Sequence, residues 1–213
     1  SQANRKVSGR AIDGEIIDAK DKKVVIIGGG DTGSDCVGTA NRQKAKSVVQ
    51  VELLPQPAEC RSSNEPWPKH PMLLKTTSSH EEGAERRWSI LTKSFSGEGG
   101  KLKKLNCVRV EFSKPKGQSC PLMKELPGSN FEIEADLAIL AVGFLHPEHN
   151  GLIKDLNLKL DNRGNIQTDN SYKTSNKKVF ACGDARRGQS LVVWAIQEGR
   201  ETAKNINKHL KNL

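Results

Sequence analysis

The residues best suited to chemistry stand together in Gly28-Gly29-Gly30-Asp31-Thr32-Gly33, a G-x-G-x-x-G turn directly after an apolar β-branched run and directly before a helix-compatible stretch. In that context each glycine has a physical reason. Gly28 makes the tight turn, Gly30 lets backbone N–H groups approach a pyrophosphate, and Gly33 lets helix and strand pack closely, while the phosphates meet the positive helix end. Asp31 and Thr32 lie in the same turn and are grouped with the glycines as cofactor contacts. Glu52 follows near the end of the next β-branched run, nineteen positions beyond Gly33, where an acid accepts hydrogen bonds from an adenosine ribose. This favours NADH over NADPH. A one-residue change of register would turn Glu52 away, and Arg61 nearby offers a cation for a 2′-phosphate. The competing reading of the turn is an unrelated glycine-rich α/β loop.

The elements that must position this loop lie on either side of it. Lys23 to Gly28 reads as a parallel strand covered on both faces. A helix from Ser34 to about Lys44 and a strand from Val48 to Leu54 complete a strand, helix, strand unit. Residues 1–22 read as a connecting segment. Pro55, Pro57, Pro66, Pro68 and Pro71 mark an excursion loop, in which Trp67 is expected to pack as an apolar anchor. Alternation at Val108, Val110 and Phe112, and at Phe131 and Ile133, predicts a small antiparallel ribbon joined by a loop from Ser113 to Asn130. Ala135 to Val142 reads as another buried parallel strand, closed by Gly143. Further on come a turn at Asn162 to Asn165, a strand from Val179 to Cys182, and a helix from near Ser190. The stripe Val192, Ala195, Ile196, Gly199, Ala203, Ile206 and Leu210 is expected to pack that helix on a sheet. The fold class is α/β, a Rossmann-like parallel sheet with a small antiparallel ribbon.

Composition narrows the partners. The net charge of +9 suits an anionic ligand or simply a soluble surface. The short basic runs, Lys101 to Lys104 and Lys114 to Lys116, lack the interleaved aromatics of a nucleic-acid surface. Cys36, Cys60, Cys107, Cys120 and Cys182 stand singly, without zinc, iron–sulfur or dithiol spacing. His70 and His80 near Glu81 and Glu82 have no partner at helical ligand spacing, so no metal site is expected. No stretch has the length of a membrane span. The expected compartment is cytoplasmic, with a plastid interior as the alternative.

Two further runs carry a resemblance. Val179-Phe-Ala-Cys-Gly183-Asp184, preceded by Thr174, resembles the C-terminal flavin motif of flavoproteins with two dinucleotide-binding domains. Leu140-Ala-Val-Gly143 resembles the strand end where such proteins pass from the NAD(P)H domain back to the FAD domain. With the turn at Gly28 and the strings GGGDTGSDCVGTANRQ, EPWP and GDARRGQSLVVWAIQEGR, nearly the whole chain is similar to the small (β) subunit of glutamate synthase. In that family the subunit passes hydride from NAD(P)H to FAD. Electrons continue through iron–sulfur clusters to FMN in the large subunit, where 2-oxoglutarate and glutamine-derived ammonia become glutamate.

The resemblance implies that Gly28, Gly30 and Gly33 hold the nicotinamide dinucleotide and that Gly183 and Asp184 hold FAD. The helix from near Ser190 and Leu191 would point at the flavin, where its N-terminus stabilises negative charge. Residues 1–22 become a link from a missing N-terminal half of the FAD domain, residues 23–142 the NAD(P)H-binding domain, and residues 143–213 the C-terminal part of the FAD domain. The family's first glycine fingerprint and cluster-binding cysteines have no counterpart, which implies a fragment or a shortened chain, colourless and inactive alone. Two other readings stand beside it: an electron-transfer flavoprotein subunit feeding another acceptor, and a nucleotide-binding fragment without turnover. A thioredoxin-reductase type is disfavoured by the lack of Cys-x-x-Cys.

Overall fold

The computed structural model describes residues 2–12, 14–63, 73–113 and 121–211; Trp67, His70 and Cys120 lie outside the described residues. It divides into two compact units, Ser1–Val142 and Gly143–Leu213.

The first unit opens with a short helix, α1 (Gln2–Val7), then β1 (Lys23–Ile27), α2 (Asp31–Arg42), β2 (Ser47–Val51), α3 (Ser78–Glu81) and β3 (Glu85–Arg87). The antiparallel strands β4 (Ile90–Glu98), β5 (Lys101–Ser113) and β6 (Leu122–Glu134) follow, and β7 (Leu137–Leu140) closes the unit. The parallel sheet has the order β3-β2-β1-β7, with Ile27 level with both Val51 and Leu140. The three antiparallel strands are therefore the excursion between β3 and β7, and the chain returns on the far side of β1. This places a topological switch at the C-terminal end of β1, where open α/β sheets bind ligands.

Burial explains why β1 is apolar from Val24 to Ile27. Val24 and Ile26 pack with Val37 and Ala40 of α2, whereas Val25 packs with Leu105, Cys107 and Ile133 of the antiparallel sheet. The period of two sends alternate side chains into two cores, so Val24, Val25 and Ile26 are all buried. Each fully buried aliphatic side chain there contributes about 1.5–3 kcal/mol.

The second unit holds α4 (Leu152–Asp155), α5 (Asp184–Arg187) and the long α6 (Val192–Lys211). Its core is small, built on Ile153, Leu158, Ile166 and Ala181. The expected turn before Ile166 is present: Asp161 accepts the backbone N–H groups of Arg163 and Asn165, and Leu160 bridges to Ile166.

Several boundaries differ from the sequence reading. Helix α2 starts at Asp31 rather than Ser34, because Gly30 already has the extended geometry of a cap. Strand β2 ends at Val51, so Glu52 lies just past the ladder rather than within it. The final parallel strand is Leu137–Leu140 rather than Ala135 to Val142. The ribbon is a three-stranded sheet, and β6 begins at Leu122, inside the stretch assigned to a loop. Val179 to Cys182 forms no strand; Phe180 makes a single bridge to Lys173. The apolar stripe of α6 is not its packed face. Val192 is 71% exposed and Ile196 51%, while Glu198 and Thr202 are the buried residues.

Candidate functional site

The glycine turn is built by three different constraints. Gly28 has φ +124°, and a Cβ there would stand 2.1 Å from the Ala141 carbonyl oxygen. A Cβ on Gly33 would stand 2.2 Å from the Gly28 carbonyl oxygen and 2.7 Å from Gln50 Nε2. Both glycines are therefore required by the fold itself. Gly30 is different: a Cβ there meets nothing within 4 Å. It caps α2 without any side-chain hydrogen bond to the helix end, so among the described residues no side chain caps the first-turn N–H groups. The second glycine of the motif thus faces open space at a positive helix end, the geometry an anion needs.

A cleft of about 570 Å³ opens on this turn, lined by Gly29, Gly30, Asp31, Ser34 and Glu52 on the strand-end side. Leu54, Pro55 and Pro57 give it an apolar wall, and Arg86 and Trp88 close another side, with the Arg86 guanidinium 5.1 Å from the Trp88 ring centroid. Glu52 is turned in. Its carboxylate accepts the Gly29 N–H and, at 3.0 Å, the Leu54 N–H. The β2 register that places Ile27 beside Val51 puts Glu52 at the mouth of the turn.

Of the proposed nucleotide contacts, Gly30, Asp31 and Glu52 line the cleft, Gly28 and Gly33 shape it from behind, and Thr32 is exposed in the first turn of α2. Arg61 is exposed beyond β2, and the cations in the described lining are Arg86 and Lys75. Sequence reasoning passed over Arg86, Trp88 and Gln50. Gln50 alone carried a signal, as a polar residue inside an apolar parallel strand.

In the second unit, Gly143 and Gly183 both have positive φ. Gly143 packs on Gln189, whose side-chain oxygen accepts the Phe144 N–H at 3.0 Å. Asp184 is exposed, at a cleft of about 270 Å³ that it shares with Phe144, His146 and Gln189. Ser190 and Leu191 precede α6 and are exposed. Glu198 anchors this corner from behind: it accepts the Gly183 N–H at 2.8 Å, Arg186 Nη1 at 2.9 Å and Arg187 Nε at 2.9 Å. Arg187 also stacks on Trp194. A free carboxylate on a rigid glycine corner suits a polyhydroxylated chain such as the FAD ribityl group.

Burial pushes the Cys36 and Cys107 thiols above their ordinary range, so neither is a ready nucleophile. Among the described residues, no group of three or more His, Cys, Asp or Glu is placed to hold a metal ion, and no helix is long and apolar enough to cross a membrane.

The "Glutamate synthase [NADPH] small chain" of Mycobacterium tuberculosis is 45% identical over 194 residues, covering 91% of this chain and 38% of its own length. The "Glutamate synthase [NADH]" of Schizosaccharomyces pombe is 48% identical over 204 residues, covering 92% of this chain and 10% of its own length. The chain therefore spans well under half of these relatives. Among solved structures, FprA of M. tuberculosis in complex with NADPH superposes with a TM-score of 0.65 at 14% identity, covering 92% of this chain and 54% of that one. T. acidophilum thioredoxin reductase gives 0.59 at 24% identity, with coverages of 89% and 53%. These two show a shared fold. The family model described as pyridine nucleotide-disulphide oxidoreductase matches residues 7–199, and the chain belongs to that family.

Proposed function

We propose that this chain is the pyridine-nucleotide-binding part of a flavin-dependent oxidoreductase of the glutamate synthase type. It would pass hydride from NAD(P)H to FAD and so supply electrons for making glutamate from glutamine and 2-oxoglutarate. The observation that carries this reading is the open cradle at Gly30, where an uncapped helix end, a turned-in acid and an apolar wall meet in one cleft. The glutamate synthase relatives, matched over most of this chain, support glutamate synthesis as the setting.

In this reading the pyrophosphate lies over Gly29 and Gly30, held by backbone N–H groups and the α2 dipole. Glu52 accepts the adenosine ribose hydroxyls, and the apolar wall at Leu54 and Pro55 excludes water beside them. Asp184 holds the ribityl hydroxyls of FAD, and the α6 N-terminus after Ser190 and Leu191 favours negative charge on the reduced ring. Bound FAD supplies the hydride acceptor. The partners are the large subunit or domain carrying FMN and iron–sulfur clusters, and the remainder of the FAD domain. The compartment is cytoplasmic or plastid.

Cofactor choice is the finer part. In this reading Glu52 lies beside the adenosine ribose, and its like charge disfavours the 2′-phosphate of NADPH. NADH should bind tighter than NADPH by about tenfold at low salt, and Glu52→Gln should bring the two close to parity. Fluorescence titration with both nucleotides checks this. Tighter NADPH binding by the wild type would assign Arg86 or Lys75, rather than Glu52, the dominant role at the ribose.

A further inference from the structure

Gln50 interrupts the apolar β2 run of Val48, Val49 and Val51, and it is 2% exposed. A buried amide costs free energy unless both its ends are paired. Both are paired. Gln50 Nε2 donates to the Gly28 carbonyl at 2.9 Å, and Gln50 Oε1 lies 2.9 Å from His80 Nε2. The Thr77 backbone N–H donates to His80 Nδ1 at 3.2 Å, which leaves that nitrogen unprotonated and puts the ring proton on Nε2. The direction of every bond is then fixed: His80 donates to Gln50, and Gln50 donates to the Gly28 carbonyl.

That carbonyl matters because it shares a rigid plane with the Gly29 N–H. Gln50 holds the oxygen end of this peptide, and Glu52 accepts from its N–H end. Between two glycines, little besides these two bonds opposes a rotation that would carry the oxygen round into the phosphate cradle. A carbonyl there would repel a pyrophosphate.

We propose that Gln50 and His80 are positioning residues for the dinucleotide, locking the Gly28–Gly29 peptide with its oxygen inward, and that this lock requires a neutral His80. The inference rests on the reading of the cleft as a pyridine-dinucleotide site. A proton on Nδ1 would face the Thr77 N–H donor to donor and turn that nitrogen toward Thr77 Oγ1, also 3.2 Å away, shifting the ring from the seat in which it holds Gln50.

The charges around the ring agree with a neutral form. Burial first, then the positive charge of Arg86 on β3, hold His80 below its ordinary pKa. Strand β2 contributes Gln50 and no charged residue. Helix α2 brings Asp31, Asp35 and Arg42, the last paired with Glu82, while Glu81 and Lys75 lie in the stretch around His80. Because the folded pKa is depressed, the neutral form persists through neutral pH. Affinity should decline only as pH falls through the acid side of the histidine range.

The test is NADH titration of the 213-residue chain between about pH 8 and about pH 5.5. At the upper pH, Gln50→Leu and His80→Leu should each weaken binding about tenfold. His80→Gln keeps an N–H to give to Gln50, so it should stay within about threefold of wild type and lack the acid-side decline. Unchanged affinity in leucine variants with intact thermal transitions overturns the proposal. So does wild-type binding that tightens on acidification and loses that tightening in His80→Gln, because His80 would then be a direct cation for the phosphates. If both leucine variants fail to fold, the pH profile of His80→Gln decides alone. Failure of the wild type to bind either NADH or NADPH at any pH overturns the dinucleotide reading itself, and this inference with it.

Discussion

Gly30→Val should abolish dinucleotide binding while leaving the fold intact. The open space at Gly30 makes the two effects separable, since a Cβ there meets nothing within 4 Å and the side chain grows into the cradle. Losing the approach of two N–H donors to a charged pyrophosphate, at about 1.5–3 kcal/mol each, weakens binding by at least about a hundredfold. Gly30 has φ −78°, an ordinary value for valine, so the thermal transition should hardly move. Gly28→Ala should do the reverse and lose the fold, because its φ is +124° and its Cβ would collide with the Ala141 backbone. Calorimetric titration with NADH, paired with thermal denaturation, reads both. Equal NADH binding by wild type and Gly30→Val would move the pyrophosphate off this turn.

The second large effect belongs to the other unit. Glu198→Ala should cost about 3 kcal/mol, at the lower end of what removing one partner of a buried ion pair costs. The lower end is expected because Arg186 and Arg187 are partly exposed, at 29% and 39%, and water recovers some of their charge. The Gly183 N–H is not so compensated; it is buried with Glu198 as its acceptor. Since the second unit's core is only a small cluster, such a loss is a large share of its stability. Glu198→Gln retains an acceptor for Gly183 and should fall in between. Hydrogen exchange across residues 143–211 is the readout. Full protection of Gly183 and α6 in Glu198→Ala would show that the carboxylate is not the anchor.

The parts legible in the sequence were those governed by local spacing. The turn at Gly28 to Gly33 and the acid at Glu52 follow from a fixed geometry of strand, turn and helix. Strand β1 announced itself because both of its faces are buried. What spacing cannot see is a partner far along the chain. The α6 periodicity pointed at Val192 and Ile196, but the face that packs is set by Glu198, whose partners at Gly183, Arg186 and Arg187 lie 11 to 15 positions upstream. Strand β4 was missed because much of Lys93 to Glu98 faces solvent, leaving no clean alternation. Val179 to Cys182 has the apolar composition of a strand yet among the described residues bridges only to Lys173, so apolar composition did not make a ladder. His80, for which the sequence spacing gave no metal partner, is tied to a glutamine on β2.

The central claim, that a pyridine dinucleotide lies over the glycine turn, is tested most directly by an amide-resolved NMR titration of the chain with NADH. The predicted result is saturable shifts of the Gly29, Gly30 and Asp31 amides and of Leu54, with the Trp88 indole moving in step. Saturating shifts confined to the β4–β6 sheet, or none at all at millimolar NADH, would contradict it.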